Sequence, residues 1–288
     1  MVDVNYQERN GEMVFVAVNH GLCEFELEIN FSVLTYYQPS SVRNYQRTVA
    51  PGQTQLFTLK PQPERGAPRF QYSYRYTKGK ADPKVNYDVE YLLPVAPGKK
   101  TQAREVKYLG ETLGNRKYKD FFVLAFSMEA GDTVFAARKG QVSDTHDQAK
   151  PNGKKLLYAK DKNYVEVYHK DGTFGVYELF KNNGIFVKPG QKIEAGEPLG
   201  IIGATNYMSG SHLRFSVFYS HIEEVAVPGS DEKETHYWKF VPTPFRTAQH
   251  TKKILNPNAY YTAIHPTALI TQEMSRREIK RWKKEQKD

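Results

Sequence analysis

The chain has 288 residues, a formal net charge of +9 and a sequence pI near 9.3. It contains a single cysteine, Cys23, which excludes an intramolecular disulfide framework. No apolar run reaches the roughly 18 residues of a membrane-spanning helix, so we expect no membrane span. The basic balance suits polyanionic partners or a solvated basic surface. The sequence has neither an aromatic-basic RNA-binding motif nor a recognition helix, so we expect no nucleic-acid partner.

Residues 1–98 are predicted to form an N-terminal β-rich domain of the sandwich type. Apolar and polar side chains alternate strictly over residues 23–31, which is the period of a half-buried strand. The segment 70–93 carries the same alternation on both sides of a Lys-Gly-Lys turn, so we predict a hairpin there. Residues 92–100 contain two prolines and a glycine, and we place the domain junction in this segment.

The segment 187–218 has glycines at short, nearly regular intervals. Glycine supplies the positive φ angles of tight turns, so this spacing predicts very short strands wound into one compact sheet. His212 then lies on a strand that directly follows the small residues of 209–211. The glycines are Gly190, Gly196, Gly200, Gly203 and Gly210.

Three segments, taken in order, resemble a known family. They are FSMEAGDTVFAARKGQV (126–142), NYVEVYHKDGTFGVYELF (163–180) and VKPGQKIEAGEPLGIIGATNYMSGSHLRFSVF (187–218). Together they resemble the lysostaphin-type, or LytM-like, zinc peptidases, which cut peptide cross-bridges in bacterial cell walls. The resemblance implies a β-sheet domain of the duplicated hybrid motif fold over residues 99–225. It also implies a periplasmic or secreted location in the envelope, with a signal segment removed ahead of this sequence.

The zinc ligands of that family are missing here. The family holds zinc with a His, an Asp and the second His of a His-Leu-His triplet. Carried over residue by residue, the Asp falls on Ala125 and the second His on Arg214, while a further catalytic His falls on Leu179. His212 alone remains, at the position of a catalytic His that does not bind metal. The first ligand has no counterpart, because residues 21–145 contain no histidine. A catalytic zinc needs about three protein ligands, so we expect no metal and no other cofactor.

The resemblance therefore predicts a catalytically inactive domain that acts by binding. Residues i and i+2 of a strand share a face, so His212 and Arg214 are expected to point into the former active-site groove. There Arg214 can offer its planar fork to Glu178 or to a ligand carboxylate. The partner would be peptidoglycan, or a cell-wall hydrolase or other envelope protein that the domain regulates or supports. The residues predicted to line the groove are Tyr177, Glu178, Tyr207, His212 and Arg214.

Three alternatives stay open. An active zinc metalloendopeptidase could use substitute ligands, for instance Asp120, His146 and His212. A biotinyl- or lipoyl-type carrier is suggested by VKPGQKIEAGEPLG, although the Met-Lys-Met turn of such carriers is missing. Finally, binding could lie in the N-terminal domain, where the stripe of tyrosines at 72, 74 and 76 suits either a sheet face or stacking against sugar or peptide.

Residues 226–288 are predicted to be a mixed C-terminal extension that ends in a short basic helix. Ser275 and Glu278 have the spacing of a capping box at the start of that helix. Its narrow apolar stripe and its excess of Lys and Arg are compatible with a solvated helix or with binding to a membrane surface or a partner.

Overall fold

A computed structural model describes residues 1–106, 120–149, 162–203, 210–226, 231 and 233–286. The chain divides into two compact units. The first comprises Met1–Pro83 with Ser220–Ile222, and the second comprises Lys84–Tyr219 with Glu223–Asp288. Strands dominate both units and a short helix lies near the C-terminus. The predicted all-β fold class is confirmed.

The first unit is built from two antiparallel sheets. One has the strand order β1-β2-β6-β4 and the other has the order β5-β3-β7. The strands are β1 (Val2–Arg9), β2 (Glu12–Asn19), β3 (Phe25–Thr35), β4 (Tyr37–Gln38), β5 (Asn44–Val49), β6 (Gly52–Pro61) and β7 (Arg69–Lys78).

Aromatic side chains fill the core of this sandwich. The ring of Phe15 lies 5.5 Å from Phe31 and 5.2 Å from Tyr72 between ring centroids. The predicted alternation in β3 holds, because Leu27, Ile29 and Phe31 are buried. The tyrosine stripe lies across from these residues in β7, where Tyr74 and Tyr76 stay 39% and 40% exposed.

The hairpin predicted over residues 70–93 does not form. β7 pairs with β3 instead, and Val89, Tyr91, Leu93 and Val95 are buried in the core of the second unit. The alternating pattern identified surfaces that become buried, but it carried no information about which strand would pair with which. The units consequently divide at Pro83 and Lys84, ahead of the junction that we predicted in residues 92–100.

The second unit contains one large antiparallel sheet and smaller sheets. Its elements are β8 (Tyr91–Leu92), β9 (Lys100–Glu105), β10 (Val123–Ser127), β11 (Thr133–Phe135), β12 (Gly140–His146), β13 (Tyr164–Tyr168), β14 (Phe174–Glu178), β15 (Phe180–Ile185), β16 (Lys192–Ile193), β17 (Pro198–Ile202), β18 (His212–Ala226), β19 (Lys233–Phe240), β20 (Phe245–Arg246), β21 (Tyr260–Thr262), α1 (Thr267–Ile270) and α2 (Arg276–Glu285).

The large sheet has the order β16-β12-β13-β14-β18-β10-β9-β21, and β19 pairs with β18. A small sheet, β11-β17-β15, holds the glycine-rich turns. The sheets share one apolar core, to which β18 contributes Leu213, Phe215 and Val217 and β17 contributes Leu199 and Ile202.

The C-terminal segment is part of this unit's fold. β20 runs parallel to β8 and β21 pairs with β9, and Phe245, Leu255 and Tyr261 are buried in the same core. The predicted capping box is confirmed, since the Ser275 side chain accepts from the Glu278 backbone and the Glu278 side chain accepts from the Ser275 backbone. The sequence did not predict β20, because the prolines before it are typical of a loop and the strand itself is only two residues long.

The buried side chain of Arg138 links this segment to the large sheet through hydrogen bonds and ion pairs. Arg138 is 1% exposed and donates two hydrogen bonds of 2.8 Å to the Glu273 carboxylate. It also donates to the Asp171 carboxylate at 3.0 Å, to the Tyr91 hydroxyl at 3.0 Å and to the Thr173 hydroxyl at 3.3 Å. Burial by itself would raise the pKa of Asp171, but the guanidinium holds that pKa below its ordinary value.

Candidate functional site

One row of side chains crosses four neighbouring strands of the large sheet. Arg214 on β18 pairs with Glu178 on β14 and with Ala125 on β10, and Ala125 pairs with Arg104 on β9. Residues directly opposite one another in antiparallel strands project on the same face. The row Glu178, Arg214, Ala125 and Arg104 therefore lies on one face, which we call the groove face.

The alternation of β18 explains why these residues point away from the core. Leu213, Phe215 and Val217 are buried against the small sheet, so Arg214 and Ser216 occupy the other face. Both are only partly buried. The same period on β9 buries Thr101 and Ala103 and leaves Arg104 on the groove face.

His212 is next to Arg214 on this face and is 3% exposed. Its Nδ1 lies 2.8 Å from the Gly210 carbonyl oxygen. Because a carbonyl can only accept, Nδ1 carries the proton, and Nε2 accepts from Nε of Arg214 over a long 3.4 Å contact. Burial lowers the pKa of His212, and the cations of Arg214 and Arg104 lower it further. His212 is therefore neutral at pH 7.

The carboxylate of Glu178 has a second basic neighbour. Lys162 donates to it at 2.9 Å, and both side chains are about three-quarters buried. Arg214, directly opposite Glu178 in the register, contacts His212. Among the described residues, the face thus brings the cations Arg104, Lys162 and Arg214 together with the carboxylate of Glu178.

One of the predicted groove residues is placed differently. Tyr177 is fully buried, and its hydroxyl accepts from the Ala137 backbone N–H at 2.8 Å. It adjoins Glu178 on β14, so it must face the opposite side of the sheet, and its prediction as a groove residue was wrong. Tyr207 lies outside the described residues.

The sequence model of peptidase family M23 matches residues 123–227. These residues run from the start of β10 past the end of β18. Residues 123–227 therefore resemble peptidase family M23, and we call them the M23 domain. The resemblance found in the sequence is confirmed. None of the curated proteins matches the chain.

Several solved structures are similar to parts of this chain. A peptidase M23 protein from Pseudomonas aeruginosa is 15% identical over 67% of this chain and 82% of its own, with a TM-score of 0.31. Csd3 from Helicobacter pylori is 13% identical over 99% of this chain and 77% of its own, with a TM-score of 0.33. Lysostaphin is 18% identical over 51% of this chain and 49% of its own, with a TM-score of 0.28.

The residues at the expected zinc site of the M23 domain do not fit a zinc ion. Ala125 offers a methyl group and Leu179 is a buried apolar side chain, and neither can bind metal. Arg214 places a fixed positive charge beside Ala125, where a dication would be repelled. Among the described residues, no group of three or more His, Cys, Asp or Glu side chains could hold a metal ion.

The substitute ligands Asp120, His146 and His212 are not brought together either. His146 lies on β12 and His212 on β18, with β13 and β14 between them. Three inter-strand steps of about 4.8 Å separate these strands by roughly 14 Å. Side chains that stand perpendicular to a sheet cannot close that distance around one metal ion.

Sequence reasoning missed Arg104 and an aromatic cluster on the same face. Arg104 precedes the segments that resemble the family, although the alternation of residues 101–104 would have marked it as half-buried. The cluster lies two rows from Arg214 along β18, where the ring of Phe218 is 5.0 Å from Trp238 and 5.9 Å from Phe240. Trp238 and Phe240 are on β19, a strand that the sequence did not reveal.

Proposed function

We propose that the M23 domain is a binding module of the bacterial cell envelope and does not hydrolyse peptide cross-bridges. Its partner is peptidoglycan, or a wall hydrolase that works on it. The proposal assigns His212 as the remnant of a catalytic pair and assigns Ala125, Leu179 and Arg214 as the altered positions.

The observation that carries the proposal is the pairing of Ala125 with Arg214 across β10 and β18. Hydrolysis by this family depends on a metal that activates water. In this chain, Ala125 stands at the position of the Asp ligand and Arg214 at the position of the His ligand. The two residues lie opposite each other on neighbouring strands, so a methyl group and a guanidinium replace the two metal ligands. The surrounding sheet and the partly buried groove face are nevertheless intact, so binding can persist where catalysis cannot.

The envelope location rests on the family relationship. In the part of the chain that the structure describes, no helix is long and apolar enough to cross a membrane. The alternative function is that of an active zinc metalloendopeptidase with substitute ligands. Among the same residues, no group of three or more His, Cys, Asp or Glu side chains could hold its metal ion.

Incubation of the full chain with purified bacterial sacculi, with and without added zinc, tests the proposal. We expect co-sedimentation without release of new amino groups, because the groove can hold a peptide but cannot activate water. An active zinc peptidase of the family serves as the positive control. Zinc-dependent release of amino groups by this chain would contradict the proposal.

A further inference from the structure

We propose that the outward face of α2 is a docking surface for the headgroups of a membrane rich in anionic lipid. This helix lies outside residues 123–227, which match family M23. Its role therefore adds to the proposed function of the groove face and does not depend on it.

The charged and apolar residues of α2 lie on two opposite sides of the helix. At 3.6 residues per turn, its Lys and Arg side chains fall within an arc of roughly 160°, and all of them are exposed. These cations are Arg276, Arg277, Lys280, Arg281, Lys283 and Lys284. The opposite side carries Glu278, Ile279 and Trp282, which are half-buried. The helix thus presents an uninterrupted cationic face to solvent.

Two successive residues ahead of β12 fix this orientation. Arg138 donates two hydrogen bonds of 2.8 Å to the Glu273 carboxylate, just before the helix. Lys139 donates to Glu278 in the first turn at 2.6 Å. Ser275, between these two contacts, forms the capping box that starts the helix. The side that carries Glu278 is therefore held against the domain.

The cations of α2 are scarcely compensated within the described part of the chain. Their one acidic contact there is a 3.8 Å approach of Arg281 Nε to the Glu285 carboxylate, with side chains 70% and 63% exposed. Like charges three or four residues apart on a helix repel each other. Lys280 has such neighbours in both directions, at positions 276, 277, 283 and 284. A dense array of negative charge on a partner would relieve this repulsion.

The width of the cationic arc favours a planar partner over a linear one. A single polyanionic chain could follow one row along the helix, for instance Arg277, Lys280 and Lys284, and would leave the flanking cations unmatched. Lys and Arg side chains are long and flexible, so those on both flanks can reach one plane of headgroups. Clusters of roughly 4–8 Lys or Arg on a helix are typical of binding to anionic lipid.

The apolar residues of α2 determine how the helix would bind. A helix that inserts into the membrane interface buries an apolar face there. Ile279 and Trp282 lie instead on the side that Glu278 holds against the domain. We therefore expect α2 to contact headgroups without inserting. Such electrostatic adsorption weakens as salt screens the charges.

Flotation of the full chain with lipid vesicles tests this inference. One set of vesicles is phosphatidylcholine alone, and the other contains about one third phosphatidylglycerol. We expect binding to the anionic vesicles only, with a steep loss between about 50 mM and about 300 mM salt. The double variant Lys280→Gln with Lys284→Gln should bind at least about tenfold more weakly. Its melting temperature should equal or exceed that of the parent, because like-charge repulsion is removed.

The double variant Lys181→Gln with Lys188→Gln is the matched control. Both lysines are exposed cations of the M23 domain, so this variant has the same net charge as the α2 variant, and it should bind like the parent. The emission of Trp282 is recorded in Trp238→Phe, since the chain has two tryptophans. It should not shift to shorter wavelength on binding, because the indole stays on the domain side.

Equal weakening in the two double variants would assign binding to net charge and overturn the inference. Equal binding to neutral vesicles, binding that does not depend on salt, or no binding to either vesicle would also overturn it. A shift of the Trp282 emission to shorter wavelength would contradict binding without insertion. Polyglutamate, added at equal charge concentration, should displace the chain only in part, and complete displacement would assign α2 to a linear polyanion instead.

Discussion

Replacing Arg138 by methionine is expected to lower the free energy of unfolding by about 3–5 kcal/mol. Arg138 is 1% exposed and binds the carboxylates of Glu273 and Asp171. Methionine fills most of the volume but leaves both carboxylates without their buried counter-charge. Desolvated, uncompensated charges are among the few causes of so large a loss. Urea unfolding of the full chain measures the effect.

Two further variants separate charge from packing. Glu273→Gln keeps a hydrogen-bond acceptor for Arg138 and leaves the Asp171 pair intact, so its cost should be clearly smaller than that of the methionine variant. Arg281→Met removes an exposed arginine of α2 and should change stability by no more than about 0.5 kcal/mol. If Arg138→Met behaved like Arg281→Met, the network would not have the stabilising role that its geometry indicates.

Acidification is expected to destabilise the protein through His169. Burial lowers the pKa of this imidazole to about 3, and the neighbouring Arg138 cation adds to the effect. Nδ1 of His169 lies 2.8 Å from the Lys139 carbonyl oxygen and donates to it. The ring packs so closely on Gly175 that a Cβ atom there would lie 2.8 Å from Nε2. No space remains in which a protonated ring could be solvated.

The pKa shift fixes the direction of the effect. In the unfolded chain the imidazole takes up a proton below about pH 6.5, whereas in the folded chain it stays neutral down to about pH 3. The unfolded state therefore binds more protons in this window, and stability falls as the pH decreases. Between pH 6.5 and 4.5 this residue should remove about 2–3 kcal/mol of stability.

Urea unfolding of the parent and of His169→Gln across this range checks the prediction. The His169→Gln variant should have a lower free energy of unfolding than the parent at pH 7, because glutamine fits the cavity of the imidazole poorly. The glutamine side chain does not titrate. The stability of the variant should therefore decline less steeply towards pH 4.5 than that of the parent. His212 and His265, whose pKa values burial also lowers, remain in both proteins and cancel in the comparison. Parallel pH profiles would contradict the account of His169.

The sequence predicted the strands of the first unit better than their partners. Alternation in β3 and β7 is a local property, and it placed both strands correctly. The residues 87–91 alternate in the same way, yet Val89 and Tyr91 are buried in the core of the second unit and Tyr87 stays exposed. Burial against distant residues decided this outcome, and no local pattern encodes it.

The candidate site shows the same division between local and non-local information. Period two along β14 forbids Tyr177 and Glu178 from sharing a face, so the misplacement of Tyr177 could have been avoided from the sequence. The opposition of Arg104 and Arg214 across Ala125 could not have been foreseen. It depends on the register of β9, β10 and β18, the first and last of which lie more than a hundred residues apart along the chain.

Zinc content tests the central claim most directly. The full chain is equilibrated with zinc, freed of excess metal by dialysis and analysed for zinc per chain, and its thermal unfolding is recorded with and without the metal. We expect zinc far below one equivalent and no zinc-dependent rise in melting temperature, because Ala125 and Arg214 offer no ligand and a ligand that binds the folded state must stabilise it. One tightly held zinc per chain, lost on His212→Ala and accompanied by a higher melting temperature, would contradict the account.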